Sequence, residues 1–138
     1  MHIFLGSETE RSAILRQFPH TAQVMGADGI LAVAKEDQQI IGFAWAFIRD
    51  IHTSIPLKEL FISVIDVFDP LRRGKGIGSL LVKKCMDAAR EHQCYQVRAY
   101  CDIGNLPSNR LWIKNGFSIS PVKLENGSIP GSYVTFKL

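Results

Sequence analysis

A short basic segment rich in glycine, between an apolar run and an amphipathic run, constrains the fold of this chain most strongly. Residues 61–68 are rich in β-forming side chains, and Pro70 then ends the run because proline has no N–H to give to a strand ladder. Apolar residues recur at helical spacing from residue 77 to about residue 92. The sequence therefore predicts a strand, a tight basic loop and a long amphipathic helix, in that order.

A loop of this kind at the start of a helix is suited to bind an anion. The first N–H groups of a helix have no intrahelical acceptor, and the helix dipole places partial positive charge at the same end. Glycines let the backbone approach a ligand closely or adopt positive φ, and the arginines and lysine add charge. We call this predicted site for phosphate or pyrophosphate the cradle. Its residues are Arg72, Arg73, Gly74, Lys75, Gly76, Ile77, Gly78 and Ser79.

The glycine spacing excludes the two commonest phosphate motifs. The P-loop pattern G-x-x-x-x-G-K-[ST] is absent, and Ser79 stands where G-x-G-x-x-G would need its third glycine. The pattern present is Arg73-x-x-Gly76-x-Gly78. It resembles the R/Q-x-x-G-x-G/A signature of the GNAT superfamily of acyl-CoA N-acyltransferases.

A second segment, residues 105–117, also resembles this superfamily. Its spacing matches the family pattern N-x-x-A-x-x-L-Y-x-x-x-G-F, with Ser108 in place of the small alanine and Trp112 in place of the tyrosine. The two motifs lie about 30 residues apart, stand in the family order and together span residues 60–117. On these two motifs the chain is identified as a member of the superfamily.

The order of predicted elements gives a mixed α/β fold. Ser7 is a suitable N-cap for a helix over residues 8–18, and the strand-like runs 30–36 and 39–50 form a hairpin, followed by a loop over 50–56. Further strands are predicted at 96–101, 117–122 and 131–138, and a further helix at 105–115. We expect one domain over residues 1–138, with a twisted, mainly antiparallel sheet and helices on both faces, which is also the GNAT layout.

Composition excludes several classes of function. The net charge of +3 is spread along the chain, with one tight basic cluster at the cradle, so a nucleic-acid surface is not expected. No apolar run approaches the ~20 residues of a membrane span, and residues 1–8 do not resemble a signal peptide. The four histidines lack metal-ligand spacing, and no G-x-S-x-G elbow is present. The odd number of cysteines and the absence of a C-x-x-C motif favour reduced thiols in a cytoplasmic protein; the cysteines are Cys85, Cys94 and Cys101.

The resemblance implies acetyl-CoA as the acyl donor and no metal. In the family, the cradle holds the pyrophosphate, and the pantetheine follows the preceding strand. The backbone groups of Asp66, Val67 and Phe68 are then the expected pantetheine and thioester contacts. Asn105 and Trp112 are expected cofactor contacts from the second motif, and Asn105 is also a candidate helix N-cap. A structural helix start with no ligand is the alternative for the whole cradle.

Transfer to an amine also requires a group that accepts the proton of the acceptor amine, because the pKa of a primary amine is about 10.4. Many relatives carry a carboxylate six residues before the position of Phe68, but this chain has Ile62 there. Simple strand alternation makes Asp66 the base candidate, because it is the one carboxylate in its row; an Asp hydrogen-bonded into the sheet or loop is the alternative. Glu59 would point the other way unless a bulge shifts the register. The predicted row is Leu60, Ile62, Val64, Asp66 and Phe68.

The resulting prediction is transfer of an acetyl group from acetyl-CoA to a primary amine of a small molecule or a protein. A non-catalytic acyl-CoA-binding or regulatory module and a nucleotide-binding protein remain alternatives. Trp112 cannot act as an acid, so we expect it to pack against the pantetheine end or the core. The acceptor is not indicated by any motif in residues 1–56. Family members are often homodimers, so a homodimer also remains open.

Overall fold

Seven strands form one sheet, and α-helices pack on both of its faces. The computed structural model describes all residues, Met1–Leu138. The strand order is β1-β2-β3-β4-β5-β7-β6, and every neighbouring pair is antiparallel except β4 and β5. This confirms the predicted mixed, mainly antiparallel fold. The elements are β1 His2–Leu5, α1 Glu8–Gln17, β2 Ile30–Glu36, β3 Gln39–His52, β4 Ile55–Val67, α2 Ile77–Glu91, β5 Gln96–Asp102, α3 Leu106–Lys114, β6 Ser118–Val122 and β7 Gly131–Lys137, with 3₁₀ turns at Pro19–Gln23 and Pro70–Arg72.

Local sequence explains where several elements begin and end. Ser7 caps α1 in a capping box, in which its N–H donates to the Glu10 carboxylate at 2.8 Å and lowers the pKa of Glu10. Asp37 and Gln38, both at positive φ, form the two-residue turn between β2 and β3. The predicted loop over 50–56 is wrong in its extent. There β3 and β4 remain paired as far as His52 and Ile55, so only a tight turn separates them.

Two separate cores cover the two faces of the sheet. The larger core packs α2 and α3 against small and aliphatic residues of the central strands, including Ala44, Ala46 and Leu60. The smaller core packs Ile14 of α1 against Phe43 and Trp45. We call these the α2 face and the α1 face of the sheet. Two aromatic residues of β3, Phe43 and Trp45, are therefore part of the core.

A β-bulge in β4 corrects the predicted alternation of that strand. Trp45 pairs with Val64 while Ala46 pairs with Ile62, so Ser63 is an extra residue without a partner on β3. The side chains from Lys58 to Ile62 are therefore turned to the opposite face from the one that simple alternation assigns. The row of residues 60–68 is wrong as a single face, because Leu60 and Ile62 lie in the α2-face core.

The same bulge places Glu59 on the α1 face with Asp66. Along β3, Phe43 pairs with Asp66 and Arg49 pairs with Glu59, and residues 43 and 49 of a regular strand share a face. Two carboxylates of β4 thus stand on the α1 face, one on each side of the bulge. Simple alternation along the strand would place Glu59 and Asp66 on opposite faces, because their positions in the sequence differ by an odd number of residues.

The central strands part at their carboxyl ends. β4 pairs with β5 only from Glu59 to Ile62, whereas β5 continues beside β7 as far as Asp102. Beyond Ile62, β4 therefore has no strand partner on its β5 side, and an opening forms between the two strands. Separately, none of the helices has the length and apolar character needed to cross a membrane.

Candidate active site

A cleft of about 570 Å³ lies at the carboxyl end of β4, between the starts of α2 and α3. It brings together most of the predicted site residues from both motifs. Ile65, Pro107, Ser108, Arg110, Leu111 and Lys114 also line it and were not predicted. The predicted residues that line it are Asp66, Val67, Arg72, Arg73, Gly74, Gly76, Ile77, Gly78, Ser79 and Asn105. Phe68, Lys75 and Trp112 are not among its lining residues.

The start of α2 has the features that an anion needs. Gly76 is the N-cap of α2, and its backbone is left-handed with φ 84°, a conformation that strains any residue with a Cβ. No side chain caps this helix, although a serine or aspartate commonly does so. The first N–H groups of α2 therefore remain available where the cleft opens. These residues fit a phosphate group.

Two of the three cations of the cradle, Arg72 and Arg73, line the cleft, and they differ in their availability. Arg72 is held in ion pairs with Glu36 at 2.6 Å and Asp69 at 3.4 Å. Arg73 is 61% exposed, and its Nε donates to the carbonyl oxygen of Val67 at 3.2 Å. Its guanidinium is thus tethered beside the cleft with donors to spare. Arg73 is consequently the cradle cation best placed to meet a phosphate.

The amino end of α2 is also fixed to α3. A Cβ added at Gly78 would lie 3.3 Å from Leu111 Cδ1, so this glycine lets the two helices approach closely. Asn115 Nδ2 donates to Ser79 Oγ at 3.1 Å across the same contact. Both predicted cradle residues therefore have a packing role as well as a place at the cleft.

The start of α3 contributes the opposite wall of the cleft. Asn105 is the N-cap of α3, because its side chain accepts from the Ser108 N–H at 3.2 Å, and it also lines the cleft. Arg110 and Lys114, one turn apart on α3, add two further cations. Their i,i+4 spacing downstream of Asn105 was the available sequence signal, since it places them on one helix face.

Trp112 lies in the core, 2% exposed, with its ring 5.0 Å from that of Phe117. Its indole Nε1 donates to Ser108 Oγ at 3.0 Å. The two positions at which the second motif departs from the family pattern are thus joined by one hydrogen bond. The serine hydroxyl satisfies the polar group that the tryptophan brings into the core.

Removal of this hydroxyl should destabilise the fold. We expect Ser108→Ala to lower the free energy of unfolding by about 1–2 kcal/mol, because a buried N–H loses its acceptor. Denaturant unfolding measures the change. The control introduces Ser108→Ala into the Trp112→Phe variant, in which no N–H needs an acceptor, and there the cost should almost vanish. An equal cost in both backgrounds would show that this hydrogen bond contributes nothing to stability.

The two other predicted residues outside the cleft, Phe68 and Lys75, lie in the α1-face core and at the tip of the loop. Phe68 stacks on Phe18 at 4.1 Å between ring centroids and contacts Phe43, so its side chain belongs to the α1-face core. Its N–H donates to the carbonyl oxygen of Ile41. Lys75 is exposed at the loop tip.

The two carboxylates of the α1 face differ in accessibility. Asp66 is 44% exposed, lines the cleft and lies 3.9 Å from the guanidinium of Arg73. Glu59 is 1% exposed and accepts from Arg49 and from Gln96, each at 2.7 Å. Ile62 is buried in the α2-face core. Of the two carboxylates, Asp66 is the one that solvent and a ligand can reach.

The cysteine thiols are packed groups. All three are free and buried. Burial raises the pKa of Cys85 to about 12, and burial together with the nearby Glu59 raises the pKa of Cys94. Neither of these two thiols is disposed to ionise and act as a nucleophile.

The structure contains no group of three or more histidine, cysteine, aspartate or glutamate side chains that could hold a metal ion.

The sequence model of the acetyltransferase (GNAT) family matches residues 3–117. The chain belongs to this family. A comparison with curated protein sequences gives no match. The cradle, the second motif and the opening between β4 and β5 all lie within the matched region or at its border. The expected activity, acetyl-CoA-dependent N-acetyl transfer, is confirmed at the level of the family, and the acceptor is left unspecified.

Solved GNAT structures share the fold at low sequence identity. A ribosomal-protein-alanine N-acetyltransferase from Brucella melitensis superimposes with a TM-score of 0.70 at 19% identity, covering 100% of both chains. A proposed acetyltransferase from Salmonella typhimurium, solved with its cofactor acetyl-CoA, gives 0.74 at 20% identity, covering 99% of this chain and 93% of that one. A proposed GNAT acetyltransferase from Desulfovibrio desulfuricans gives 0.76 at 13% identity, covering 99% and 98%.

Proposed function

We propose that this GNAT protein holds acetyl-CoA in the cleft and transfers its acetyl group to a primary amine that approaches from the α1 face. The uncapped start of α2, with Gly76 in a left-handed conformation beside Arg73, carries this proposal. The start of α2 and Arg73 bind the pyrophosphate. The unpaired edge of β4 after Ile62 offers backbone groups to the pantetheine, and Asn105 faces it from α3.

The chain's own residues then have separate roles in the transfer. Acetyl-CoA supplies an activated thioester, and a deprotonated amine attacks its carbonyl carbon. We assign Asp66 to accept the amine proton, directly or through one water, because it is the accessible carboxylate of β4. The departing thiolate needs no strong acid, since thiol pKa values lie near ~8.5.

A binding experiment and an activity assay test this proposal. Thermal-shift titrations with acetyl-CoA, ATP and NAD identify the ligand of the cleft, and a raised melting temperature is expected with acetyl-CoA. Release of free thiol is then measured while amines and peptides are supplied as acceptors. Stabilisation by ATP or NAD in place of acetyl-CoA would contradict the assignment of the cleft.

A non-catalytic acyl-CoA-binding module is the second candidate. Two observations favour it: Ile62 is apolar at the position where many relatives carry a carboxylate, and Trp112 is buried with its N–H already bonded. Such a module would bind acetyl-CoA as tightly as an enzyme does. Binding without thiol release across the acceptor panel would identify it.

The Trp112 side chain is expected to stabilise the fold and not to act in catalysis. Trp112→Phe should keep kcat within about tenfold, which is less than the loss typical of removing a general acid. It should lower stability, because trimming a large buried aromatic leaves space in the core. Steady-state kinetics and the melting temperature measure the two effects. A thousandfold loss of kcat with unchanged melting temperature and acetyl-CoA affinity would assign Trp112 to the chemistry instead.

We also infer a cytoplasmic location and a homodimeric state. The three free, buried cysteines support the location, because reduced thiols persist in reducing compartments. The β3–β4 hairpin supports the dimer, because it extends beyond β2 and exposes Ile48, Ile55 and Leu57. Light scattering of the purified protein measures the mass in solution.

A further inference from the structure

Two arginines stand on the α1 face beside the opening between β4 and β5. Arg49 of β3 and Arg98 of β5 flank Glu59, which lies on β4 between them. We call Arg49 and Arg98 the arginine pair. Neither belongs to the two GNAT motifs, and the proposed transfer gives neither of them a role. Their side chains are 39% and 29% exposed, so both are within reach of a ligand on this face.

The buried carboxylate of Glu59 orients the pair without satisfying both members. One oxygen of Glu59 accepts from Arg49 Nε at 2.7 Å. The other oxygen accepts from Gln96 Nε2 at 2.7 Å, while the Arg98 terminal nitrogen stays 3.9 Å from it. Arg98 is therefore only loosely paired, and its Nε is buried without a hydrogen-bond partner. A carboxylate of the protein that existed only to neutralise Arg98 would be expected closer.

Aromatic rings fix the planes of both guanidinium groups. Arg49 lies over the ring of Phe61 at 4.0 Å, and Arg98 lies over the ring of Tyr133 at 4.0 Å. Stacking of this kind leaves the edge of the guanidinium, with its parallel N–H donors, free to bind a carboxylate in a bidentate way. Two positive charges face one negative charge, so the cluster carries one unit of positive charge towards this face.

The arginine pair also lies close to the opening between β4 and β5, where the reaction is expected to take place. Phe61 pairs with Arg98 and Ile62 with Ala99, and the two strands part directly after that pair. Tyr100, two residues beyond Arg98 on the same face, stands at the opening, and this spacing corresponds to roughly 7 Å along the strand. A small amine held at the opening would place a substituent over Arg98.

We propose that the acceptor is an amine that also carries a carboxylate, and that Arg98, oriented by Glu59 and Tyr133 and supported by Arg49, binds that carboxylate. This inference rests on the proposed acetyl transfer and specifies its acceptor. Arg98 and Arg49 are then specificity residues, and Glu59 is a positioning residue. If these charged residues only stabilised the fold, the protein would not distinguish an acidic amine from its neutral analogue.

The experiment compares amines in matched pairs, each carboxylate with its primary carboxamide, using thiol release from acetyl-CoA. The native protein should show kcat/KM at least about tenfold higher for the carboxylate, the effect of one charge-assisted contact. Arg98→Gln should remove this preference by raising KM for the carboxylate amine, with kcat and the carboxamide little changed. Arg98→Lys keeps the charge without the planar fork and should retain part of the preference.

Controls separate this inference from the transfer itself. Arg90→Gln removes a comparable half-exposed arginine of α2 and should leave the preference intact. Acetyl-CoA affinity should stay unchanged in all three variants, which shows that each of them remains folded. A native protein that acetylates both members of each pair equally, or neither of them while binding acetyl-CoA, would overturn the acidic acceptor. Failure to bind acetyl-CoA at all would instead overturn the proposed function.

Discussion

Gly76→Val should weaken acetyl-CoA binding at least tenfold, which corresponds to about 1.4 kcal/mol. Gly76 is the N-cap of α2 and adopts φ 84°, so a β-branched residue there must shift the backbone that presents the first N–H groups of the helix. No protein atom lies within 4 Å of the place where its Cβ would be, so the added side chain meets the ligand's space and not the core. Isothermal titration with acetyl-CoA measures the loss.

Gly127→Val is the matched control for Gly76→Val. Gly127 also has positive φ, 85°, and open space around its Cβ position, but it lies in the turn region between β6 and β7. Both variants therefore suffer similar backbone strain and should lose a similar amount of melting temperature. Only Gly76→Val should lose acetyl-CoA affinity. Unchanged affinity in Gly76→Val, or an equal loss in both variants, would show that the start of α2 does not bind the pyrophosphate.

The parts of the site that follow local rules were predictable from the sequence. Gly74 and Gly76 do adopt positive φ, and Asn105 does cap α3, because turn geometry and helix capping depend on neighbouring residues. The residues of both motifs meet at one cleft because each motif starts a helix and the two helices follow the parallel neighbours β4 and β5. Trp112 was correctly expected to be packed, although its pairing with Ser108 was not foreseen.

The faces of β4 were not predictable, because a bulge leaves no reliable mark in the sequence. Nothing in the sequence around Ser63 marks a bulge. Ser63 is recognised as the extra residue only because it has no partner on β3. One inserted residue reverses the face of the strand residues just before it, which is why Glu59 lies on the α1 face. The arginine pair depends on this reversal and on long-range pairing with β3 and β5, so no local pattern could indicate it.

Asp66→Asn should lower kcat/KM by about 100-fold or more if Asp66 accepts the amine proton. The substitution keeps the shape and removes the basic oxygen. The loss should fall on the reaction with the amine, while the affinity for acetyl-CoA should change little. Steady-state kinetics with one amine acceptor measure the loss, and isothermal titration with acetyl-CoA measures the affinity.

The affinity for acetyl-CoA shows whether Asp66 acts as a base or only as an electrostatic partner of the neighbouring Arg73. Asp66 lies 3.9 Å from the Arg73 guanidinium, so its neutralisation frees that cation and should leave acetyl-CoA affinity unchanged or slightly raised. Asp87→Asn is the control, because Asp87 pairs with Arg90 at 3.5 Å on the exposed side of α2, away from the cleft. Weakened acetyl-CoA binding with an unchanged kcat would mean that Asp66 orients Arg73 only. Full activity of Asp66→Asn would mean that the proton leaves through water or through another group on the α1 face.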